Sequence, residues 1–190
     1  GSEETKWSFA NNNMPPNHPI WRVLYKSPAP DTIIYMILVI NCGSKKTKNI
    51  AEMVEKCGKK CRVVSIDVVS KKDVIVAHGI IISGSPVLLS KTGAEEYLKK
   101  LSFIKDAAIP VLGICFGHQI LGALFGGTVK VDKECREPIS INILQKDEIF
   151  EGLLESSVFA EDHTESVSVP KNFILLAASE FCKNEAMKHG

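Results

Sequence analysis

Cys115 lies in a stretch whose residue types and spacing suit covalent chemistry. Gly113-Ile114-Cys115-Phe116-Gly117 follows an apolar run and leads into a helical pattern. A nucleophile on a sharp strand-to-helix turn needs small residues two places to either side, because larger ones would clash. The N-terminus of the following helix would favour the thiolate, the reactive form of cysteine. The pattern predicts a nucleophilic cysteine, with the amide of Phe116 facing a developing oxyanion; a buried core cysteine between glycines is the alternative.

A second small-residue loop, Ile80 to Pro86, follows an earlier apolar strand. In a parallel sheet, it would lie on the same carboxyl-end edge as the cysteine turn. Ser83, Gly84 and Ser85 would let a substrate approach the backbone closely, and their amides could supply a second oxyanion donor. An ordinary polar turn is the alternative interpretation.

The elements that must position these loops alternate from Met36 onward. Continuous apolar strands are separated by helical patterns, such as Thr47 to Gly58, up to the helix that Gly126 and Gly127 end. Continuous apolar strands indicate a parallel sheet covered on both faces, hence a doubly wound, three-layer, flavodoxin-like α/β fold. After Gly127 shorter strands follow, which predicts antiparallel additions at one edge. The longest apolar run, Ile33 to Ile40, is far too short to span a bilayer.

Residues 1–35 are expected to be a poorly regular N-terminal arm, either a tag or leader or a genuine extension. The initial Gly-Ser resembles a cloning scar, and the arm carries five prolines: Pro15, Pro16, Pro19, Pro28 and Pro30. Trp7, Phe9 and Trp21 suggest that the arm could still dock on the domain. Residues 36–190 are predicted to form that single domain.

Charge and cysteine content exclude several classes of function. The formal net charge is +1 over 190 residues, which argues against a nucleic-acid or membrane-surface partner. Six cysteines show no CxxC pair and no zinc-like doublet, so no metal site is predicted. A cytoplasmic protein with reduced thiols is expected.

The segment GICFGHQILGALFGG resembles the nucleophile segment of class I, triad-type, glutamine amidotransferases, and GIIISGSP resembles their oxyanion loop. The later segments DHTESVSVPKNFILLAAS and NEAMKHG resemble the branch that provides the glutaminase subunit or domain of GMP synthetase. The resemblance runs from about Met36 to the last residue.

The resemblance implies that Cys115 attacks the side-chain amide of glutamine, forming a glutamyl thioester and releasing ammonia. It implies an oxyanion hole formed by the amides of Gly84 and Phe116, beside Ser85. It also implies further substrate-binding residues: Gln119, Asp162, His163, Thr164 and Glu137. Ser85 stands where the family usually has glycine, and Pro138 replaces the aromatic residue that usually follows the Arg-Glu pair.

The implied glutaminase needs no metal or organic cofactor. Its ammonia would pass to a synthetase partner, an ATP-pyrophosphatase domain or subunit that uses ATP and magnesium, for making GMP from XMP in purine biosynthesis. Alternatives are a glutaminase of another pathway, such as anthranilate or aminodeoxychorismate synthesis, and a non-catalytic binding or regulatory relative. A third is a DJ-1-like cysteine hydrolase, against which the GHQ and SGSP segments argue.

The family's catalytic His and Glu lie in a Q-F-H-P-E type segment, which has no match before Gly190. A chain truncated before that segment is therefore expected, with poor glutamine hydrolysis. Among the histidines, His163 is the one candidate base, with Glu161, Asp162 and Glu165 as possible orienting groups. His118 should turn away from the sulfur, His78 should lie at the wrong edge of the sheet, and His189 should be frayed.

Overall fold

The computed structural model describes residues 6–9, 35–154, 156–160 and 163–190. Five parallel strands form one half of a nine-stranded sheet, in the order β3-β2-β4-β5-β1. They are β1 (Lys6–Phe9), β2 (Met36–Asn41), β3 (Lys60–Ser65), β4 (Gly79–Ile82) and β5 (Val111–Ile114). The apolar sequences of β2, β4 and β5 follow from their burial on both faces.

Helices cover both faces of the parallel strands. They are α1 (Thr47–Lys56), α2 (Lys71–Ile75), α3 (Leu89–Thr92), α4 (Glu95–Lys100) and α5 (Phe116–Leu124). Short 3-10 turns lie at Ser102–Asp106 and Glu148–Phe150. Gly58 ends the α1 region with a φ of +74°, a left-handed conformation that glycine adopts without strain. No helix in the described ranges is long and apolar enough to cross a membrane.

Antiparallel strands extend the sheet beyond β1 in the order β11-β10-β7-β8. A separate two-stranded sheet pairs β6 with β9. The bounds are β6 (Val129–Cys135), β7 (Pro138–Ile143), β8 (Ser156–Ala160), β9 (His163–Val167), β10 (Phe173–Ala178) and β11 (Ala186–His189). The predicted doubly wound fold with antiparallel additions is therefore confirmed.

The core lies in two layers, one on each face of the parallel strands. Ile37, Val39, Ile81 and Leu112 pack on the α1 side, and α5 packs in the other layer with Ile80 and Ile82. Because the interiors of these strands are buried on both faces, their apolar residues do not alternate with polar ones. This explains why the sequence reads as continuous apolar runs.

The N-terminal arm differs from its prediction, because Lys6–Phe9 forms a central strand. β1 pairs in parallel with β5 and antiparallel with β11, filling the space between them. All five prolines of the arm come after this segment, so none removes a hydrogen bond from the ladder. Lys6 is buried, and its ammonium group lies 3.5 Å from the carbonyl oxygen of Ala107. Residues 10–34, including Trp21, lie outside the described residues.

The prediction that His189 is frayed is wrong. His189 belongs to β11, and its ring lies 5.1 Å from that of Phe173 and 5.3 Å from that of Phe125. Strand pairing with β10 and this aromatic contact hold the segment in place. His78 lies where it was predicted, at the amino end of β4, where its Nδ1 accepts a hydrogen bond from the amide of Met36.

Candidate active site

Cys115 lies between the last residue of β5 and the first residue of α5, and its backbone is strained. Its φ of +52° and ψ of −108° make it the one non-glycine residue with positive φ in the described part of the chain. Side-chain-bearing residues rarely adopt positive φ, and the conformation costs about 1–3 kcal/mol. The surrounding packing therefore enforces the turn. This sharp strand-to-helix turn is the geometry that the GxCxG spacing predicted.

The two flanking glycines allow this packing. A Cβ on Gly113 would lie 2.4 Å from the carbonyl oxygen of Gly117, and one on Gly117 would lie 2.2 Å from that of Ile82. Both contacts are with backbone atoms, which cannot rotate away as a side chain can. Glycine is therefore required at both positions to bring α5 close to β4 and β5.

The first amides of α5 are available for a negative charge beside Cys115. Cys115 occupies the N-cap position, and its carbonyl accepts the helical hydrogen bond from the amide of Gln119 at 3.0 Å. The amides of the first turn, beginning with Phe116, have no intrahelical acceptor, as at every helix start. The partial positive charge at this end of the helix would stabilise a thiolate or an oxyanion.

A cavity of about 470 Å³ opens at the carboxyl ends of β2, β4 and β5, and Cys115 lines it. Ligands of open α/β sheets bind at this edge, where neighbouring strands lead to opposite faces. Other residues predicted for the site also line the cavity, namely Ser85, Phe116, Gln119 and the β9 pair His163 and Thr164. Asp162 lies outside the described residues.

Gly84 is buried and does not contribute to the cavity wall, whereas its neighbour Ser85 does. The Ser83 hydroxyl donates to the carbonyl of Gly84 at 2.9 Å and accepts from the amide of Cys42 at 3.0 Å. The bond from the Cys42 amide holds the loop after β4 against the loop after β2, whereas the bond to Gly84 lies within the loop after β4. The two loops therefore form one wall of the cavity.

Glu137 does not reach the cavity. It is exposed in the turn between β6 and β7, and its neighbour Arg136 lines the cavity instead. The two side chains of this Arg-Glu pair leave the turn differently, so the motif brings its cation rather than its carboxylate to the site. The guanidinium of Arg136 also lies 2.7 Å from a carboxylate oxygen of Glu134.

Glu165 was expected to be a possible orienting group for His163, but in the structure its carboxylate binds backbone amides of another element. Its buried carboxylate accepts hydrogen bonds from the amides of Leu89 (2.9 Å) and Ser90 (2.8 Å), at the start of α3. Its backbone carbonyl accepts a bond of 3.0 Å from the Gln119 side chain. Glu165 thus fixes β9 to both α3 and α5 and positions the cavity wall that carries His163 and Thr164.

The loop of residues 43–46 also lines the cavity, although no sequence pattern predicted it as part of the site. It begins two residues after the end of β2 and brings two lysines, Lys45 and Lys46, to the same cavity as Arg136. The only available signal was its position, because every loop after a parallel strand lies on this edge of the sheet. The cavity is therefore basic along this side.

His118 does not line the cavity, which agrees with the expectation that its side chain turns away from the Cys115 sulfur. It is 1% exposed, and its Nε2 donates to the carbonyl oxygen of Asn184 at 3.1 Å.

His163, by contrast, is buried at the cavity wall. A nitrogen of His163, the Cys182 sulfur and a Glu185 carboxylate oxygen lie within 4.8 Å of one another. Burial raises the pKa of Glu185 to about 7, opposed by the hydroxyl of Ser179, which lowers it.

The sequence matches the family model for class-I glutamine amidotransferases over residues 38–190. The chain belongs to the class-I glutamine amidotransferase family. The family resemblance inferred from the cysteine turn is thereby confirmed. Within such an amidotransferase, the strained Cys115 at the cavity is the residue that the family resemblance makes the nucleophile.

Curated relatives of this amidotransferase include archaeal subunits of glutamine-hydrolysing GMP synthase. The chain is 34% identical over 158 residues to such a GMP synthase subunit of Pyrococcus abyssi, covering 81% of this chain and 82% of that protein. It is 40% identical over 114 residues to the subunit of the same name in Methanothermobacter thermautotrophicus, covering 59% and 58% of the two chains.

Solved structures show the same fold. A proposed GMP synthase subunit from Thermoplasma acidophilum superimposes with a TM-score of 0.75 at 23% identity, covering 83% of this chain and 79% of the other. A glutamine amidotransferase from Thermotoga maritima gives a TM-score of 0.66 at 16% identity, covering 80% and 70%. At these identities the likeness concerns the fold alone, and it agrees with the doubly wound sheet described above.

Proposed function

We propose that this amidotransferase hydrolyses L-glutamine through Cys115 and supplies ammonia to a synthetase partner for the amination of XMP to GMP. The observation that carries the proposal is the strained backbone of Cys115 at a helix N-terminus and at the wall of a cavity. The names of the archaeal relatives support GMP synthesis over anthranilate or aminodeoxychorismate synthesis.

In the proposed first step, the Cys115 thiolate attacks the side-chain amide carbon of glutamine. The amide of Phe116 would stabilise the tetrahedral oxyanion. The second donor, which the resemblance gave to Gly84, would be the amide of the neighbouring Ser85, because Ser85 rather than Gly84 lines the cavity. The carbon–nitrogen bond then breaks, the nitrogen takes up the proton that the Cys115 thiol lost on ionising, and ammonia departs, so that a glutamyl thioester remains on the sulfur. Water attacks the thioester, the carbon–sulfur bond breaks, and glutamate leaves.

The walls of the cavity would hold the amino-acid end of the substrate. His163 and Thr164 lie at the start of β9, and the Glu165 and Gln119 contacts fix that strand in place. Asp162 is assigned to the same binding loop by resemblance alone. Arg136 takes the place that the resemblance gave to Glu137, because a cation at the wall suits the carboxylate of glutamine.

The partner would be the protein or domain that uses ATP and magnesium to activate XMP. The archaeal relatives are named as one subunit of GMP synthase, which supports a separate synthetase partner here. Delivery to a docked partner keeps ammonia from protonation and loss to solvent. This chain itself would need no cofactor for the glutaminase reaction.

Labelling by an electrophilic glutamine analogue, such as a diazoketone, tests the role of Cys115. One analogue per chain is expected on Cys115, with none on the Cys115→Ser variant. The Cys42→Ser variant is the matched control, since Cys42 is also buried and burial raises the pKa of its thiol to about 12. Labelling that is unaffected by Cys115→Ser, or that requires Cys42, would overturn the proposal.

Basal hydrolysis by these 190 residues is expected to be slow, because they contain no Q-F-H-P-E type segment. A general base contributes about 10²–10⁴-fold to such reactions. Glutaminase activity should therefore rise by a factor in this range when the chain is extended by a segment carrying that His and Glu. Equal rates with and without the segment would show that a group within residues 1–190, with His163 first to be tested, serves as the base.

A further inference from the structure

Three side chains of types that can bind a metal ion converge behind the wall of the Cys115 cavity. His163 begins β9, whereas Cys182 and Glu185 belong to the turn between β10 and β11. One ligand atom from each lies within 4.8 Å of the other two. All three residues are almost completely buried, with exposures of 5%, 1% and 1%.

The turn that carries Cys182 and Glu185 is built around Ser179. The Ser179 hydroxyl accepts hydrogen bonds from the amides of Phe181 (3.1 Å) and Cys182 (2.9 Å). The same hydroxyl donates to Oε1 of Glu185 at 2.6 Å. A bond of this kind behind a ligating carboxylate fixes its orientation and is typical of metal sites.

Asn184 anchors the same turn to the rest of the fold. Its side-chain amide donates to the carbonyl of Val167 in β9 at 2.9 Å, and its own carbonyl accepts from His118 in α5. The turn is thus held against both β9 and α5. The three ligating groups are therefore placed by two independently anchored segments rather than by flexible side chains.

A second observation, independent of the clustering of the three side chains, also points to a bound ion, and it concerns Oε2 of Glu185. Oε2 is fully buried and has no hydrogen-bond partner within the described ranges. A buried polar atom of this kind costs about 1–3 kcal/mol when it is left unsatisfied. A bound cation would satisfy it, and His163 and Cys182, whose ligand atoms lie within 4.8 Å of a Glu185 carboxylate oxygen, offer two further ligands.

We propose that His163, Cys182 and Glu185 bind one divalent transition-metal ion of the zinc class. A nitrogen, a sulfur and a carboxylate oxygen are the ligands that zinc takes in proteins, at about 2.0–2.3 Å from the ion. Neighbouring ligands around a tetrahedral ion of that size lie roughly 3–4 Å apart, so the cluster must contract by about 1 Å at its widest. Binding would release the Cys182 thiol proton to solvent as the sulfur–metal bond forms.

The sequence rule for zinc sites does not cover this arrangement. It looks for closely spaced pairs of cysteines or histidines, but His163 and Cys182 are far apart in the chain and meet only through folding. Because His163 also lines the cavity, the ion would border the glutaminase site. Metal binding would then regulate access to Cys115, a consequence that rests on the proposed function, whereas the binding itself does not.

Equilibrium dialysis of the purified 190-residue chain against Zn²⁺, and Co²⁺ absorption spectra, test the site. We expect one ion per chain and a thiolate-to-cobalt charge-transfer band. Both should be lost in Cys182→Ser and Glu185→Gln and kept in Cys42→Ser and Cys115→Ser. Ser179→Ala should weaken binding about 10–100-fold, as expected for a group that orients a ligand. Circular dichroism and thermal unfolding without metal check that each variant folds.

Three outcomes would overturn the site. These are no stoichiometric binding by the parent chain, binding that survives in a folded Cys182→Ser or Glu185→Gln variant, and binding that requires Cys115. The regulatory consequence is tested separately, by the rate at which the glutamine analogue labels Cys115 with and without Zn²⁺. Slower labelling that is relieved in Cys182→Ser supports it, and an unchanged rate in the metal-loaded chain overturns the regulation while leaving the metal site intact.

Discussion

Gly117 lies so close to Ile82 that a Cβ on the glycine would come within 2.2 Å of the Ile82 carbonyl oxygen. This contact joins the first turn of α5 to the carboxyl end of β4. It sets the depth at which α5 begins, and therefore the position of Cys115 and of the Phe116 amide. The packing of two backbones, rather than any side chain, determines the geometry of the nucleophile.

Replacing Gly117 with alanine should disrupt this geometry. The clash is with backbone, so we expect a loss of about 3 kcal/mol in the free energy of unfolding, measured with urea, at the upper end of overpacking costs. Labelling of Cys115 should fall as well. Gly58→Ala is the control, since Gly58 has positive φ but open space around it, and it should cost about 1 kcal/mol without affecting labelling. Equal costs for the two variants would mean that α5 can move away from β4.

Glu165→Gln tests the connection between β9 and α3. The glutamine would retain one acceptor oxygen but lose the charge that strengthens both bonds to the Leu89 and Ser90 amides. We expect the free energy of unfolding to fall by about 1–3 kcal/mol. Glu95→Gln, an exposed change in α4, should stay within about 0.5 kcal/mol of the parent chain. An equally small effect of Glu165→Gln would show that these bonds do not hold the cavity wall.

Much of the fold could be predicted because its strands are buried on both faces. Strands β4 and β5, and β2 up to its last residue Asn41, carry no polar side chain, and local sequence alone indicates them. Strand β9 escaped prediction because its interior contains Glu165, a charge that is acceptable only where distant amides bind it. Strand β1 was not predicted, because its pairing with β5 and β11 depends on a space in the sheet that no local sequence pattern indicates.

The residues of the candidate site likewise fall into two groups, those that local sequence indicates and those that only the folded chain brings together. Cys115 and its flanking glycines were predictable because one short turn imposes all of its requirements on five consecutive residues. Arg136, by contrast, could not be chosen over Glu137, since the direction in which each side chain leaves a turn depends on tertiary packing. The approach of Cys182 and Glu185 to His163 likewise depends on long-range contacts, which leave no spacing signal in the sequence.

Asp73 should make stability depend on pH in the acid range. The amide and hydroxyl of Ser70 hydrogen-bond its carboxylate and, with Arg62 at 2.7 Å, hold the pKa of Asp73 below its usual value. A lowered pKa in the folded state stabilises the protein above the unfolded pKa of about 3.9, and this contribution is lost as pH falls through the folded pKa. Asp73→Asn should therefore unfold more easily than the parent chain at pH 7.

The difference between the two chains should shrink as pH falls below about 4, measured by urea unfolding across an acid series. Lys72→Gln, at a neighbouring exposed position of α2, controls for a change in surface charge. A gap between Asp73→Asn and the parent chain that stays constant with pH would show that the carboxylate's charge contributes nothing.

The position of β1 inside the sheet makes the N-terminal segment part of the domain rather than a removable arm. Ser8 aligns with Gly113 of β5 on one side and with Met187 of β11 on the other. Proline at this position has no amide hydrogen for the ladder, so Ser8→Pro should lower the free energy of unfolding by about 1–3 kcal/mol. It should also reduce labelling of Cys115, because Cys115 directly follows the strand with which β1 pairs. Ser8→Ala keeps the amide and separates this backbone effect from loss of the side chain. Unfolding curves that coincide for Ser8→Pro and Ser8→Ala would contradict a strand at this position, because a segment outside the sheet has no ladder bond to lose.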